Sequence, residues 1–207
     1  MRLLMTLSLL IIGMNIQAQK VYLADNGVTI KASADAKVGD KGVVNGVTYA
    51  VIDLPTLKTL INLEEDLSIV CTSLITDMSS LFITKWNSFN QDISSWDVSN
   101  VTDMSQMFNA EYDFNQDLSS WDVSSVTTMY AMFANSPFNQ DISGWNVSKV
   151  TNMNSMFYNT TKFNQDISKW DVSNVKDCGY FSGNYSGKSP LKKEYIPKFT
   201  NCNPKGD

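Results

Sequence analysis

The chain has 207 residues and a net charge of −5, and 43% of its residues are apolar while only 18% are charged. This length allows one domain or a short array of repeats, and the apolar fraction is enough for a core. The acidic balance, without a basic patch, argues against nucleic acid as a partner. The sequence has no histidine, which removes Ser-His and Cys-His nucleophile pairs and histidine metal sites. We therefore expect no metal and no cofactor.

The first 18 residues have the layout of a secretory signal peptide. Arg2 supplies a short positive region, residues 3–12 form an almost unbroken apolar run, and Ala18 offers a small residue for cleavage. A buried N-terminal helix is the alternative. The apolar run is too short to span a bilayer, so we expect no membrane span in the mature chain. The segment predicts an exported protein, either secreted or held at the cell surface.

Residues 19–65 do not resemble the rest of the chain and are predicted to form an N-terminal cap. Asp25-Asn26-Gly27 and Asn45-Gly46 stand between short β-prone segments and predict two hairpins. Pro55 is predicted to open a short helix that packs an apolar face on the neighbouring structure. Such a cap would cover the exposed edge of the structure formed by the next residues of the chain.

One unit recurs from residue 66 to residue 182. The sequence FNQDISSWDVSNVTDMSQMF begins at Phe89, and similar copies begin at Phe114, Phe138 and Phe163. A degraded copy, DLSIVCTSLITDMSSLF, begins at Asp66. Self-similarity at 24–25 residues indicates a solenoid, in which each unit forms one coil and neighbouring coils share a core.

The apolar spacing within a unit predicts a strand, a turn, a short helix and a loop. Trp96 and Val98 alternate with Asp97, as in a strand with one buried face. Residues 104–108 place two Met and one Phe on one face of a helix. We therefore predict an α/β repeat fold, namely a leucine-rich-repeat-like solenoid of about 4–5 coils with a β-rich N-terminal cap and a short C-terminal cap.

Two residue types recur at fixed positions and are predicted to form structural ladders through the stack. The tryptophans are Trp96, Trp121, Trp145 and Trp170. The asparagines are Asn90, Asn115, Asn139 and Asn164. The alternative for the tryptophans is a ligand-stacking platform, and the alternative for the asparagines is a line of cation sites. Calcium would need six to eight oxygen ligands, which argues against the cation sites.

A third polar column gives the candidate binding site. It stands between two inward-facing positions of each predicted strand, so we expect it to point outward together with adjacent Ser and Asn side chains, on a flat, mildly acidic surface. The candidate residues are Asp97, Asp122, Asn146, Asp171, Ser99 and Asn100. Repeat proteins commonly bind ligands on such a surface. A face that is merely solvated is the alternative.

Residues 183–207 depart from the repeat and are predicted to form a C-terminal cap. Cys178 in the last copy and Cys202 in this tail are candidate disulfide partners in an exported chain. Cys71, in the degraded copy, is predicted to be a buried free thiol.

The repeated unit resembles the BspA-type leucine-rich-repeat surface proteins of bacteria. It is most similar to their short-repeat branch of unknown function, which is also common in mycoplasma surface lipoproteins. The resemblance covers residues 66–182, and the VYLADNGVTIKA, NGVTYAVID and Cys-bounded segments also look like the ends of such proteins. It implies a bacterial surface or secreted protein similar to adhesins. Compared with longer members, the chain has few coils, no lipid-anchor Cys and no recognisable cell-wall sorting module.

The predicted function is recognition of an extracellular protein or glycan through the strand face, without catalysis. One alternative is a structural spacer whose stacks associate end to end. Another is a small hydrolase with paired carboxylates, which would need a deep pocket holding two facing Asp side chains.

Overall fold

The computed structural model describes residues 19–83, 88–184 and 189–205. The predicted signal peptide therefore lies outside the described residues. Within the described ranges, no helix has the length and apolar character needed to cross a bilayer.

Two antiparallel hairpins open the described chain. β1 (Val21–Leu23) pairs with β2 (Ile30–Ala32), and β3 (Lys41–Val44) pairs with β4 (Val47–Val51). Asn45 and Gly46 join β3 to β4 with φ values of 50° and 83°. Positive φ at both central residues is the geometry that a two-residue hairpin turn requires, and Asn-Gly adopts it readily.

The two hairpins pack closely against each other. A Cβ added at Gly42 of β3 would lie 2.7 Å from the Cβ of Val21 in β1, so a larger residue at position 42 would push the hairpins apart. A small core forms beneath this contact, and its buried members are Val21, Ile30, Val44, Val51 and Cys71.

A short helix comes after the hairpins. α1 (Leu54–Asn62) begins after Asp53, whose carboxylate accepts a hydrogen bond from the backbone N–H of Thr56 at 2.9 Å. This cap satisfies one of the free N–H groups of the first turn. Leu57 and Ile61 stand one turn apart and are buried in the core that they share with the repeats. The helix therefore covers the N-terminal end of the repeats, formed by the degraded copy, with its apolar face.

The sheet of the cap continues into the repeats. β4 pairs in parallel with β5 (Val70–Cys71), which belongs to the degraded copy. The strand order is β3-β4-β5. Since β4 occupies the hydrogen-bonding edge of β5, it covers one end of the stack.

The repeats stack with parallel pairing. Single parallel bridges join Asp77 to Asp103, Asp103 to Thr128, Thr128 to Asn152 and Asn152 to Asp177. Each of these residues holds the same position in successive copies, so one repeat makes one turn of the stack. We number the four full copies, which begin at residues 89, 114, 138 and 163, as coils 1 to 4.

The inside of a coil differs from the expected strand and helix. In the described part of coil 1, residues 96–98 form no strand and residues 104–108 form no helix. Gln106 and Ala110 have φ values of 57° and 61°, whereas an α-helix needs φ near −60° throughout. The N–H of Gln106 instead donates to the carbonyl of Tyr130 in the next coil at 2.7 Å. Bonds between coils thus replace helical bonds. Assignment to the leucine-rich-repeat class stays a prediction.

The tryptophan column lies in the core. The four side chains are at most 5% exposed, and the rings of Trp96 and Trp121 stack at 6.5 Å. Each indole N–H donates to a backbone carbonyl of the preceding coil; for Trp121 the acceptor is Ile93 at 3.1 Å. These side chains fill the interior and offer no open ring face to a ligand.

The asparagine column joins the coils along an edge of the stack. The backbone N–H groups of Asn115, Asn139 and Asn164 donate to the side-chain oxygens of Asn90, Asn115 and Asn139 at 2.8–3.0 Å. The N–H of Lys192 in the tail then donates to Asn164 at 3.2 Å. The oxygens that a cation would need already accept backbone hydrogen bonds.

The tail closes the other end of the stack. A disulfide joins Cys178 of coil 4 to Cys202. A short 3₁₀ helix, Lys193–Tyr195, lies between them. The ring of Phe199 packs edge-on against buried Phe181 at 5.0 Å, so the tail shields the last coil from water.

We expect Trp121→Phe to lower the free energy of unfolding by about 1–3 kcal/mol, because the buried hydrogen bond from the indole N–H to the carbonyl of Ile93 would be lost and the smaller ring would leave a cavity. Tyr130→Phe in the same coil changes an exposed side chain and should alter stability by less than about 0.5 kcal/mol. Urea denaturation of both variants measures the difference. Equal midpoints would show that the indole hydrogen bond does not stabilise the stack.

Cys202→Ser should lower stability by about 3 kcal/mol, because the disulfide closes a loop with a sequence separation of 24 residues. Thermal melting under non-reducing conditions measures the loss. An unchanged melting temperature, together with labelling of free thiols at both positions in the unmodified protein, would rule out the bridge.

Candidate binding face

The Asp-x-Ser spacing of the repeat produces a tight turn on the outside of each coil. In coil 4 the carboxylate of Asp171 accepts hydrogen bonds from the backbone N–H of Ser173 at 3.1 Å and from its hydroxyl at 2.7 Å. In coil 3 the amide oxygen of Asn146 accepts the same pair from Ser148 at 3.2 and 2.8 Å. These are Asx turns, which Asp and Asn both form.

The predicted column is exposed in three coils. Asp122, Asn146 and Asp171 are exposed, and each stands between a buried Trp and a buried Val. Neighbouring coils lie about 5 Å apart, so the three side chains share one surface about 10 Å long. We call this surface the free face and define it by Asp122, Ser124, Asn146, Ser148, Asp171 and Ser173.

The expectation that Asp97 also faces solvent is not met. Asp97 is only 4% exposed because the β1–β2 hairpin lies over coil 1. Lys31 of β2 places its Nζ 3.7 Å from the carboxylate of Asp97, and the Ser73 hydroxyl donates to that carboxylate at 2.6 Å. The half-buried hydroxyl of Ser99 accepts a hydrogen bond from Lys31 at 3.4 Å. Both predicted residues therefore hold the hairpin on the stack.

Asn100 also has partners within the stack. Its side-chain amide donates to the backbone carbonyl of Ser73 in the preceding turn at 2.9 Å. Asn174 donates in the same way to Ser148 at 2.7 Å, and Asn201 of the tail repeats the contact on coil 4 at 2.8 Å. This column joins coils and carries the pattern into the tail.

The charge of the free face is mixed. Asp122 and Asp171 are accompanied by two exposed lysines: Lys149, which comes directly after Ser148, and Lys169, in the loop that leads to coil 4's Trp. The residues that define the face are polar and include two carboxylates, and these two lysines are adjacent to it in the sequence.

A cleft of about 370 Å³ lies between the β1–β2 hairpin and the stack. Asp25, Asp97 and Asp122 line it. Asp97, the buried one, already accepts hydrogen bonds on both oxygens, from Ser73 and from Ser99. Both oxygens of Asp97 are therefore engaged within the chain.

Cys71 holds the position of Asp97 in the degraded copy and is a buried free thiol under the same hairpin. Its sulfur lies 3.5 Å from the Ser73 hydroxyl and 3.5 Å from the carbonyl of Ile30. Burial raises the pKa of the Cys71 thiol, which keeps it protonated and unreactive at neutral pH.

A family described as "Mycoplasma protein of unknown function, DUF285" matches residues 56–137 and, in a second match, residues 76–194. The second match alone spans more than half of the 207-residue chain. The chain belongs to this family. No curated protein and no solved structure matches it. The DUF285 description agrees with the mycoplasma branch named by the sequence resemblance, whereas the wider BspA-type relationship stays a hypothesis.

The Asx turn predicts a pH dependence that can be measured at one residue. Hydrogen bonds from Ser173 lower the pKa of the Asp171 carboxyl in the folded chain. Stabilisation by the ionised carboxylate is therefore present above the ordinary aspartate value and is lost as the pH falls through the folded value. Ser173→Ala should raise this pKa toward the ordinary value. An NMR titration that gives the same value in both proteins would contradict the assignment.

Proposed function

We propose that this DUF285 protein is a secreted or cell-surface bacterial binding protein that recognises a protein or glycan segment through the free face. The observation that carries this proposal is the exposure of one polar column in coils 2 to 4. Its side chains Asp122, Asn146 and Asp171 are held in one conformation by hydrogen bonds. Side chains that are already ordered lose little conformational freedom when a ligand binds.

Three features support a location outside the cytoplasm. Residues 1–18 have the pattern of a signal peptide. The disulfide between Cys178 and Cys202 suits an oxidising compartment. The repeated unit also resembles the BspA-type surface proteins, whose better-studied members are similar to adhesins.

The size of the free face favours a narrow ligand. The hairpin bounds one side, where Asn26 donates to the carbonyl of Ser120 at 3.5 Å, and Asn201 of the tail bounds the other. A standard protein interface buries about 800 Å² per partner, which corresponds to a patch roughly 28 Å across, whereas the free face is about 10 Å long. A short saccharide or one extended peptide segment fits these limits better than a globular partner.

The alternatives receive less support. End-to-end assembly needs open coil ends, yet β4 occupies one end of the stack and the disulfide-linked tail covers the other. Hydrolysis needs a proton donor facing a second carboxylate, and Asp97 is committed to hydrogen bonds within the chain.

Binding of the purified protein to a panel of matrix proteins and surface glycans tests the proposal. Gly144 is exposed, and a Cβ added there meets no atom within 4 Å, so Gly144→Arg should block the free face without disturbing the fold. We expect a loss of affinity of at least about tenfold. Thr161→Arg, in the loop between coils 3 and 4, places the same side chain outside the face and should bind normally.

A second variant tests whether the negative charge of the free face contributes to ligand binding. Asp122→Asn with Asp171→Asn keeps both Asx turns, as Asn146 does in coil 3, and removes two negative charges. Reduced affinity would assign part of the recognition to charge. No binding to any panel member, or equal binding by Gly144→Arg and the unmodified protein, would refute the proposed function.

A further inference from the structure

A second cavity lies at the C-terminal end and shares no residue with the free face. Its volume is about 740 Å³, within the range of about 300–1,000 Å³ that is usual for small-molecule sites. It forms between the last two coils and the tail. Its aromatic and polar lining includes Tyr158, Tyr180, Ser182, Lys193, Lys198 and Lys205.

The described part of the tail that lines this cavity is joined to the stack at several points. Most of its lining belongs to the loop that the disulfide between Cys178 and Cys202 closes. The tail is also held by Lys192, whose N–H donates to the asparagine ladder, and by Pro204, whose carbonyl accepts the N–H of Phe181 at 3.1 Å. A site that exists before binding spends little energy on ordering itself.

The charge of the lining contrasts with that of the whole chain. Lys193, Lys198 and Lys205 are among the described residues that line the cavity, and no Asp or Glu is among them. The whole chain has a net charge of −5. A cleft lined by one sign of charge concentrates ligands of the opposite sign, so this cavity favours an anion.

The remaining lining suits a ring with hydroxyl groups. The rings of Tyr158 and Tyr180 meet edge to face with their centroids 6.3 Å apart, and Tyr180 is 49% exposed. A tyrosine offers an apolar surface beside a polar group. At the same wall the hydroxyl of Ser189 donates to that of Ser182 at 3.0 Å and accepts the N–H of Leu191 at 3.1 Å, which leaves the Ser182 O–H as a donor for a ligand hydroxyl.

From this combination we propose that the cavity binds an acidic saccharide, a sugar that carries a carboxylate. The lysines hold the carboxylate, the exposed ring of Tyr180 packs against the sugar ring, and the Ser182 hydroxyl donates to one of its hydroxyl groups. The proposal does not depend on the free face.

Isothermal titration of the oxidised protein with two probes, trigalacturonic acid and 3′-sialyllactose, tests this proposal. We expect saturable binding of at least one probe, and roughly tenfold weaker binding of its neutral counterpart, the methyl-esterified trisaccharide or lactose. Comparison of the two acids distinguishes a uronic acid from a sialic acid as the preferred group.

Lys193→Gln and Lys198→Gln should each weaken binding by about three- to tenfold and make it less sensitive to salt. Lys149→Gln, which removes an exposed lysine of coil 3 outside the cavity, should bind normally. Reduction of the disulfide should also weaken binding, because the loop that forms the walls would be released. Gly144→Arg should have no effect here, which separates this site from the free face.

Failure of both acids to bind would overturn the proposal, and so would equal affinity for acid and neutral counterpart. An equal loss in Lys149→Gln and in the two cavity variants would likewise overturn it, because it would reveal nonspecific attraction to charge.

Discussion

Hydrogen bonds from one coil to the next are the interaction on which this structure depends. A coil of 24–25 residues is too short to satisfy its own backbone and indole groups, and these groups cannot be left unpaired in the interior. The indole N–H of Trp145 therefore donates to the backbone carbonyl of Leu118 at 3.0 Å, and the backbone N–H of Phe108 donates to the carbonyl of Met132 at 2.9 Å. The repetition of these bonds is what makes the sequence repeat so regular: each donor needs its acceptor at the same place in the neighbouring turn.

Such a stack has two unsatisfied ends, and the chain treats them differently. At the N-terminal end β4 supplies a regular strand, and α1 adds an apolar cover. At the C-terminal end the tail makes two of the hydrogen bonds that a further coil would make. The N–H of Lys192 donates to the side chain of Asn164, as the next asparagine of that column would. The side chain of Asn201 donates to the carbonyl of Ser173, as a further residue in the column of Asn174 would. Since the tail has no repeat sequence of its own, it leaves gaps where it does not follow the coil path, and the C-terminal cavity is one of them.

The sequence predicts those features that depend on local or periodic signals. The repeat period specifies which side chains share a column, and Asn45-Gly46 favours the two-residue turn of a hairpin. The helix predicted over residues 104–108 is absent because the spacing of apolar residues carries no information about φ. Gln106 adopts a left-handed conformation that a residue with a side chain does not favour. Hydrogen bonds to the next coil stabilise this conformation.

Two further features escape the sequence because they depend on contacts between distant segments. Burial of Asp97 requires the β1–β2 hairpin to lie over coil 1, and Lys31 is separated from Asp97 by 66 residues with no pattern that links them. The cavity beside Tyr180 forms where the irregular tail packs against the regular stack, so the repeat period of the sequence does not predict it. In both cases the side chains are ordinary in sequence, and only the path of the chain brings them together.

In an Asx turn the two terminal atoms of the outward-facing side chain have different roles. One oxygen of Asp171 or Asn146 makes the turn, while the other terminal atom, a carboxylate oxygen or an amide nitrogen, meets the solvent. Replacement of one residue type by the other thus changes what the surface attracts and leaves the backbone where it was. Copies of the repeat can therefore carry Asp or Asn at this position and differ in surface charge from coil to coil, while the hydrogen bonds that hold the backbone stay the same.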